Sequence, residues 1–206
     1  ALGRGDDHAE LDEALAALDE VFEPSAFGGE PWSDAWHDKA VRILSHLYDH
    51  WPGGGRVAAV EHWVETELNG ITWRGRIDRV EVEGEGPDAL LRIVDYKTGT
   101  GAPTVAEAAV SPQLGFYLIA AGKDPALTAL GTPGAAEFWY PARKAKSVIT
   151  RELDPGKVEE VAERLQEAAD GIAAEDWTPR TNDYCARCAV RLVCPEWPEG
   201  REAYLG

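Results

Sequence analysis

Apolar and polar residues alternate with a changing period along this chain. Residues 7–22 and 34–51 repeat apolar side chains at the spacing of an α-helix. This pattern predicts two amphipathic helices, separated by the Pro- and Gly-rich loop EPSAFGGEP, and Ser33 is placed to cap the second one. We interpret both helices as packing elements.

After the second helix the period becomes two, which is typical of β-strands. Strands are predicted over 57–68 and 71–83, and Asn69-Gly70 between them favours a tight hairpin turn. A third strand is predicted over 89–97, after the connector GEGPD.

The remainder of the chain mixes helical and strand-like patterns. The predicted elements are a short helix over 104–110, a helix over 113–122 capped by Ser111 and started by Pro112, strands over 134–142 and 146–153, and a long helix from Asp154 to about Asp176.

The length of 206 residues suits a single domain with a sizeable buried core. We predict N-terminal helices over 1–55, a core over 56–176 and a C-terminal tail over 177–206. The sequence contains no methionine and begins with ALGRGDD, so we expect it to be a piece of a longer protein. It has no signal-peptide pattern and no membrane-spanning stretch, and a cytoplasmic location is expected.

Two aspartates lie inside the predicted strands. Alternation places Asp95 and Lys97 on one face of the third strand and Tyr96 on the other, while Asp78 lies in the preceding strand. Two carboxylates on neighbouring strands are ligands that Mg²⁺ prefers. The spacing is equally compatible with a surface salt bridge between Asp95 and Lys97, so the residues alone leave both interpretations open.

Three linked motifs decide between these interpretations. GRIDR (75–79) is followed by IVDYKTG (93–99), and then by Gln113 and Tyr117 in SPQLGFY. In this order they resemble the RecB-like branch of the PD-(D/E)XK nuclease superfamily. The resemblance implies an α/β fold of the restriction-endonuclease type, with a mixed central sheet flanked by helices, and metal-dependent hydrolysis of DNA.

The resemblance also implies roles for individual residues. The expected catalytic residues are Asp78, Asp95, Lys97, Gln113 and Tyr117, with Mg²⁺ or Mn²⁺ bound by Asp78, Asp95 and the backbone carbonyl of Tyr96. Glu61 is a weaker candidate, either as a further carboxylate beside the metal or as an exposed strand residue. The family's metal-binding histidine follows a G-x-x-x-H pattern, which Gly5 and His8 do not match, so the site is one ligand short in this sequence.

The cysteines are confined to one C-terminal cluster, Cys185, Cys188 and Cys194. Such clustered thiolates favour zinc or an iron–sulfur centre over a disulfide scaffold. RecB-like families with an iron–sulfur staple resemble this pattern, which implies a structural [4Fe–4S] cluster whose fourth cysteine lies upstream of Ala1. The alternative is Zn²⁺ held by these cysteines and one histidine, for which the candidates are His8, His37, His46, His50 and His62.

The net charge of −17 opposes DNA binding, because phosphate contacts need basic residues. Two explanations remain open: a local basic surface, or another domain or subunit that holds the DNA. The basic residues in or near the predicted sheet are Arg74, Arg76, Arg79, Arg143, Lys144 and Lys146.

The resulting hypothesis is the nuclease module of a helicase–nuclease of the RecB, AddAB or AdnAB kind, which resects double-strand breaks. Its expected partners are DNA as single-stranded ends or an unwound strand, a helicase domain in the same polypeptide and a partner subunit. The alternatives are a stand-alone RecB-like or Cas4-like exonuclease, a catalytically inactive module that binds DNA or a partner, and a zinc-ribbon interaction protein.

Overall fold

The structure is a computed structural model that describes residues 10–68 and 70–200. Its helices are α1 (Leu11–Val21), α2 (Trp32–Asp49), α3 (Val105–Ala108), α4 (Pro112–Ala121), α5 (Pro125–Thr128) and α6 (Val158–Ala173). Its strands are β1 (Arg56–Leu68), β2 (Ile71–Glu83), β3 (Leu90–Tyr96), β4 (Thr132–Tyr140) and β5 (Ile149–Glu152). Single 3₁₀ turns occupy Pro24–Phe27, Gly86–Asp88, Pro155–Lys157, Cys185–Arg187 and Arg191–Val193.

The five strands form one mixed sheet in the order β1-β2-β3-β4-β5. β1, β2 and β3 are antiparallel neighbours, β4 is parallel to β3, and β5 is antiparallel to β4. The parallel pair requires a crossover, which α3, α4 and α5 supply between β3 and β4. The predicted α/β class, with a mixed central sheet flanked by helices, is confirmed.

Each face of the sheet is covered by different helices. On one face, Ile93 of β3 packs with Leu114 of α4 and Val161 of α6, all fully buried. On the other face, Leu47 of α2 packs with Val94 of β3. Burying one such aliphatic side chain contributes about 1.5–3 kcal/mol, so the helices are held to the sheet by these contacts.

Most predicted elements agree with the structure, with local exceptions. The prediction that Ser33 caps the second helix is wrong: α2 begins at Trp32, so Ser33 lies buried within its first turn. The short helix α5, which Asp124 caps with its carboxylate, was not predicted. The proposed hairpin turn includes Asn69, which lies outside the described residues, as do residues 7–9 of the predicted first helix.

The chain divides into two compact units, Ala1–Gln166 and Glu167–Gly206. The sheet belongs to the first unit, and the three cysteines belong to the second. The three-part division predicted from the sequence stays a prediction. Within the described ranges, no helix has both the length and the apolar character needed to cross a membrane.

Candidate active site

Strand register brings the two predicted aspartates together. β2 and β3 pair up to Arg79 and Val94, so one further step along the register places Asp78 opposite Asp95. The backbone amide of Tyr96 donates a hydrogen bond to Asp78 Oδ2 at 2.7 Å, which fixes this carboxylate at the end of β3. The Tyr96 side chain lies on the opposite face against Trp139, as the alternation predicts.

Lys97 and Asp95 form a close ion pair. Asp95 is 4% exposed, and its Oδ2 lies 2.5 Å from Lys97 Nζ. Among the described residues, Lys97 is the partner of this buried Oδ2, while Oδ1 accepts from the amide of Gln113. The salt bridge that the spacing allowed is therefore present, but on a buried carboxylate with unused acceptor capacity, which is unlike an exposed surface pair.

The backbone of Lys97 is anchored by β4. Its amide donates to the carbonyl of Trp139 at 2.8 Å, and its ammonium lies 4.7 Å from the centre of the Phe138 ring. Sequence reasoning did not identify Phe138, because the pattern GAAEFWY signals a strand but does not reveal that this strand pairs with β3. The parallel pairing thus places an aromatic face beside the lysine.

Gln113 connects the two charged residues. Its Nε2 donates to Asp95 Oδ1 at 2.8 Å, and its Oε1 accepts from Lys97 Nζ at 3.0 Å. The position of Gln113 follows from the start of α4, where Ser111 accepts from the amide of Leu114 and Pro112 occupies the first turn. A single amide side chain therefore orients both Asp95 and Lys97.

Tyr117 lies one helical turn after Gln113 and faces the same region. Gln113 Nε2 lies 3.3 Å from the Tyr117 hydroxyl, which donates to the carbonyl of Arg76 at 3.0 Å. Burial raises the pKa of Tyr117. The hydrogen bond with Gln113 lowers this pKa, and the negative charge of Asp95 raises it. The hydroxyl is therefore a neutral donor that ties α4 to β2.

Glu61 has an unusual backbone conformation beside the aspartates. The pairing of β1 with β2 passes from Val60–Arg79 to His62–Ile77, which leaves Glu61 opposite Asp78. Its φ of +52° is rare for a residue with a side chain, and such strain is concentrated at functional sites. Glu61 Oε2 also pairs with Arg76 Nε at 2.7 Å.

The carboxylates of this region perturb one another. Burial raises the pKa of Asp78, the Tyr96 amide opposes that rise, and the charges of Asp95 and Glu61 add to it. Crowded carboxylates favour protonation unless a cation neutralises them. Lys97 supplies part of this neutralisation, since its charge lowers the pKa of Asp78.

The two carboxylates, of Asp78 and Asp95, suit a hard divalent cation that keeps part of its water shell. Within residues 10–68 and 70–200, no group of three or more His, Cys, Asp or Glu side chains is gathered closely enough to hold a metal by itself. Mg²⁺ commonly binds through one or two carboxylates and completes its shell with water and substrate phosphate. Asp78 and Asp95 fit that mode of binding, because each carboxylate oxygen can accept more than one partner.

The cysteines of the second unit are gathered around one small cavity. Cys185, Cys188 and Cys194 line a space of about 30 Å³, and all three thiols are free of disulfides. The described histidines belong to the first unit, where His37 pairs with Asp19 and His62 pairs with Asp124.

The chain belongs to the PD-(D/E)XK nuclease superfamily, which it matches over residues 3–195. It is also similar to the gene 69 protein of Mycobacterium phage D29, with 33% identity over 141 residues, covering 66% of this chain and 48% of the phage protein. The chain thus spans about half the length of that curated relative. The solved structure of SSO0001 matches 89% of this chain and 76% of its own chain, at 19% identity and a TM-score of 0.36.

Proposed function

We propose that this chain is a Mg²⁺- or Mn²⁺-dependent deoxyribonuclease that hydrolyses phosphodiester bonds. The observation that carries the proposal is the connection of Asp78, Asp95, Lys97 and Gln113 at one end of the β2–β3 pair. Phosphodiester cleavage needs a site that neutralises the growing phosphate charge and a group that orients water, and these residues are of the required kinds.

Each residue has a defined role in this proposal. Asp78 and Asp95 would hold the metal, together with the carbonyl of Tyr96, and the bound metal would neutralise phosphate charge and make a water molecule easier to deprotonate. Lys97 orients the attacking water or stabilises negative charge on the phosphate. Gln113 positions Lys97 and Asp95 relative to each other, and Glu61 contributes a further negative charge.

The direct test is cleavage of linear single-stranded DNA with Mg²⁺ or Mn²⁺ by wild-type protein, Asp95→Asn and Lys97→Gln. We expect each substitution to lower the rate by about 10²–10⁴-fold, the range typical of lost acid–base or electrostatic groups. Asp88→Asn is a matched control, because Asp88 is an exposed carboxylate in the turn that precedes β3. Asp95→Asn protein that cuts as fast as the wild type would refute the assignment.

A catalytically inactive DNA- or partner-binding module is the second candidate. The net charge of −17 opposes DNA binding and therefore favours the partner-binding form of this candidate. Calorimetric titration with Mn²⁺ separates the candidates: the nuclease binds Mn²⁺ in a manner that Asp78→Asn weakens, whereas an inactive module shows no carboxylate-dependent binding.

We infer from the motif resemblance that this chain is the nuclease module of a helicase–nuclease of the RecB, AddAB or AdnAB kind. Its support is the order of the GRIDR, DYKTG and Q-x-x-x-Y motifs. The test is degradation of linear duplex DNA by the complete polypeptide with and without ATP. ATP-dependent degradation supports a helicase–nuclease, and ATP-independent cleavage favours a stand-alone RecB-like exonuclease.

We further propose that Cys185, Cys188 and Cys194 bind a structural [4Fe–4S] cluster with a fourth ligand from outside the described residues. Its support is the Cys-x₂-Cys-x₅-Cys spacing in the sequence, together with the presence of all three free thiols in the lining of one cavity. Anaerobically purified complete protein should contain iron and show a visible absorption band that reductant bleaches. Stoichiometric zinc without iron would favour the zinc alternative.

A further inference from the structure

A second cavity of the first unit has a strongly basic lining. Its volume is about 740 Å³, and α2 contributes Lys39, Arg42 and His46 to its wall. The segment after β4 contributes Arg143 and Lys144. The lining contains no aspartate or glutamate, although the chain carries 37 acidic residues. A concentration of positive charge on an acidic protein favours an anionic ligand.

These basic side chains are not neutralised within the described structure. The ion pairs among residues 10–68 and 70–200 do not include Lys39, Arg42, Arg143 or Lys144. The Nε2 atom of His46 is buried without a hydrogen-bond partner there. A buried polar atom without a partner is costly, so a ligand that supplies a hydrogen-bond partner would be favoured.

The other predicted basic residues have a different role. Arg74 pairs with Glu65 at 3.1 Å, and the buried Arg79 pairs with Glu81 at 2.7 Å. Arg76 is likewise bound to Glu61. Of the predicted basic residues, those in the segment after β4 therefore form the basic surface. The basic side chains of α2 form the rest of it.

The cavity lies at the same end of the sheet as the candidate active site, and its α2 wall covers the face opposite to α4 and Gln113. Pro141 directly follows β4 and Thr100 follows Lys97 by three residues, and both line the cavity. Because β3 and β4 are parallel, both segments leave the sheet at the same edge. Three residues span at most about 11 Å, so the cavity wall begins within that distance of Lys97.

An exposed aromatic ring extends this basic surface along α2. Trp36 is 46% exposed, and Lys39 Nζ lies 4.4 Å from the centre of its ring. Trp36, Lys39, Ile43 and His46 recur at intervals of three and four residues, which places them along one side of the helix. Basic residues interleaved with exposed aromatic rings are typical of surfaces that bind single-stranded nucleic acid.

We propose that this cavity, together with Trp36, binds a single strand of nucleic acid and directs it toward Asp95 and Lys97. The phosphates contact the basic side chains of α2 and of the segment after β4, and an unpaired base stacks on Trp36. A single strand fits better than a duplex because stacking on an aromatic side chain requires an unpaired base. This inference deepens the proposed nuclease function and rests on it for the identity of the substrate.

The first experiment measures binding of a labelled oligothymidylate by fluorescence anisotropy in EDTA, so that no cleavage occurs. Arg143→Gln/Lys144→Gln should raise Kd by roughly tenfold and make the dependence of log K on log salt shallower by about 1.4, since each single-strand phosphate contact contributes about 0.7. Lys157→Gln/Arg164→Gln removes the same charge from α6 and the 3₁₀ turn that precedes it, and should leave Kd unchanged. Equal weakening by both double variants would overturn the proposal, because it would reveal only a general charge effect.

The second experiment tests stacking. Trp36→Ala should raise Kd for the oligothymidylate by about fivefold or more, because base stacking contributes about 1–3 kcal/mol per base and 1.4 kcal/mol corresponds to tenfold. Binding of inorganic polyphosphate, which has no bases, should be unchanged. Trp177→Ala removes a 72% exposed tryptophan of the second unit and serves as the control. Equal oligothymidylate binding by the Trp36→Ala protein and the wild type would overturn the stacking contact.

The results also separate this inference from the nuclease function. Wild-type protein that binds the strand through Arg143 and Lys144 but cuts nothing would refute the nuclease and support the cavity. Conversely, an Arg143→Gln/Lys144→Gln protein that binds and cuts like the wild type would refute strand binding by the cavity. The proposed nuclease activity would be unaffected by that result.

Discussion

At the scale of single residues, Gln113 determines the geometry of the candidate site. Its amide donates to Asp95 and accepts from Lys97, so replacing it frees both side chains without removing a metal ligand. We expect Gln113→Ala to lower kcat by roughly tenfold, which corresponds to about 1.4 kcal/mol, and to change KM little. Steady-state cleavage of single-stranded DNA measures both constants. A raised KM with a normal kcat would show that Gln113 binds substrate rather than positions Lys97.

Asp78 gives the site a pH-dependent stability. Because burial and the neighbouring carboxylates raise the pKa of Asp78, the folded protein holds this proton more strongly than the unfolded chain. Its contribution to stability is therefore present at low pH and is lost as pH rises through the raised pKa. In metal-free protein at about pH 8, we expect Asp78→Asn to increase the free energy of unfolding, by less than about 1 kcal/mol because the carboxyl is only partly buried.

Thermal unfolding in EDTA at several pH values measures this effect. The difference in Tm between Asp78→Asn and the wild type should shrink as pH falls through the raised pKa of Asp78, where the wild-type carboxyl becomes protonated. Mg²⁺ should raise the Tm of the wild type more than that of the variant. A variant that is less stable than the wild type at about pH 8 without metal would contradict the expected direction.

The sequence motifs indicated which side chains lie together better than they indicated the backbone geometry around them. Asp78, Asp95, Lys97, Gln113 and Tyr117 are brought together as the motifs predict. No sequence pattern predicts the left-handed backbone conformation at Glu61, because AVEHWVE contains no glycine or turn residue and is typical of a regular strand. The contribution of Phe138 depends on strand pairing, which local patterns do not encode.

At the scale of elements, the contact between α4 and β2 depends on Gly75. A Cβ atom at this position would lie 2.6 Å from a ring carbon of Phe116 and 2.8 Å from one of Tyr117. Both distances are shorter than van der Waals contact, so α4 approaches β2 this closely only because residue 75 has no side chain. The glycine of GRIDR thereby sets the position of Tyr117.

We expect Gly75→Ala to destabilise the protein by about 1–3 kcal/mol, the usual cost of overpacking, and to lower kcat by displacing the helix that carries Gln113. Chemical denaturation and the cleavage assay measure the two effects. Gly101→Ala is the control, because a Cβ there meets no atom within 4 Å. Equal stability of the two variants would show that α4 adjusts to the extra methyl group without strain.

The elements themselves were predictable where periodicity was long and regular. β1 and β2 agree with the predicted strands to within one residue, and α4 begins where Ser111 and Pro112 indicated. The parallel placement of β4 beside β3 was not predicted, since it follows from tertiary packing of the crossover helices. The start of α2 was misplaced because Ser33 has the composition of a cap but is buried in the first turn.

At the scale of the whole molecule, the charge distribution affects both stability and nucleic-acid binding. The net charge of −17 implies self-repulsion that weakens the compact state, while Arg143 and Lys144 border a basic cavity. Salt screens both effects over a Debye length of about 10 Å at 0.1 M. Stability and nucleic-acid binding should therefore respond to salt in opposite directions.

We expect Tm to rise by a few degrees as NaCl increases from about 0.02 to 0.3 M, because a gain near 1 kcal/mol shifts the Tm of a domain of this size by about 2–4 °C. Over the same range Kd for a single-stranded oligonucleotide should increase by at least tenfold, since salt competes with phosphate contacts. Differential scanning fluorimetry and anisotropy on the same samples measure both quantities. A Kd that is insensitive to salt would show that the strand is not held through its phosphates, and a falling Tm would show that attractive ion pairs outweigh the repulsion among the acidic side chains.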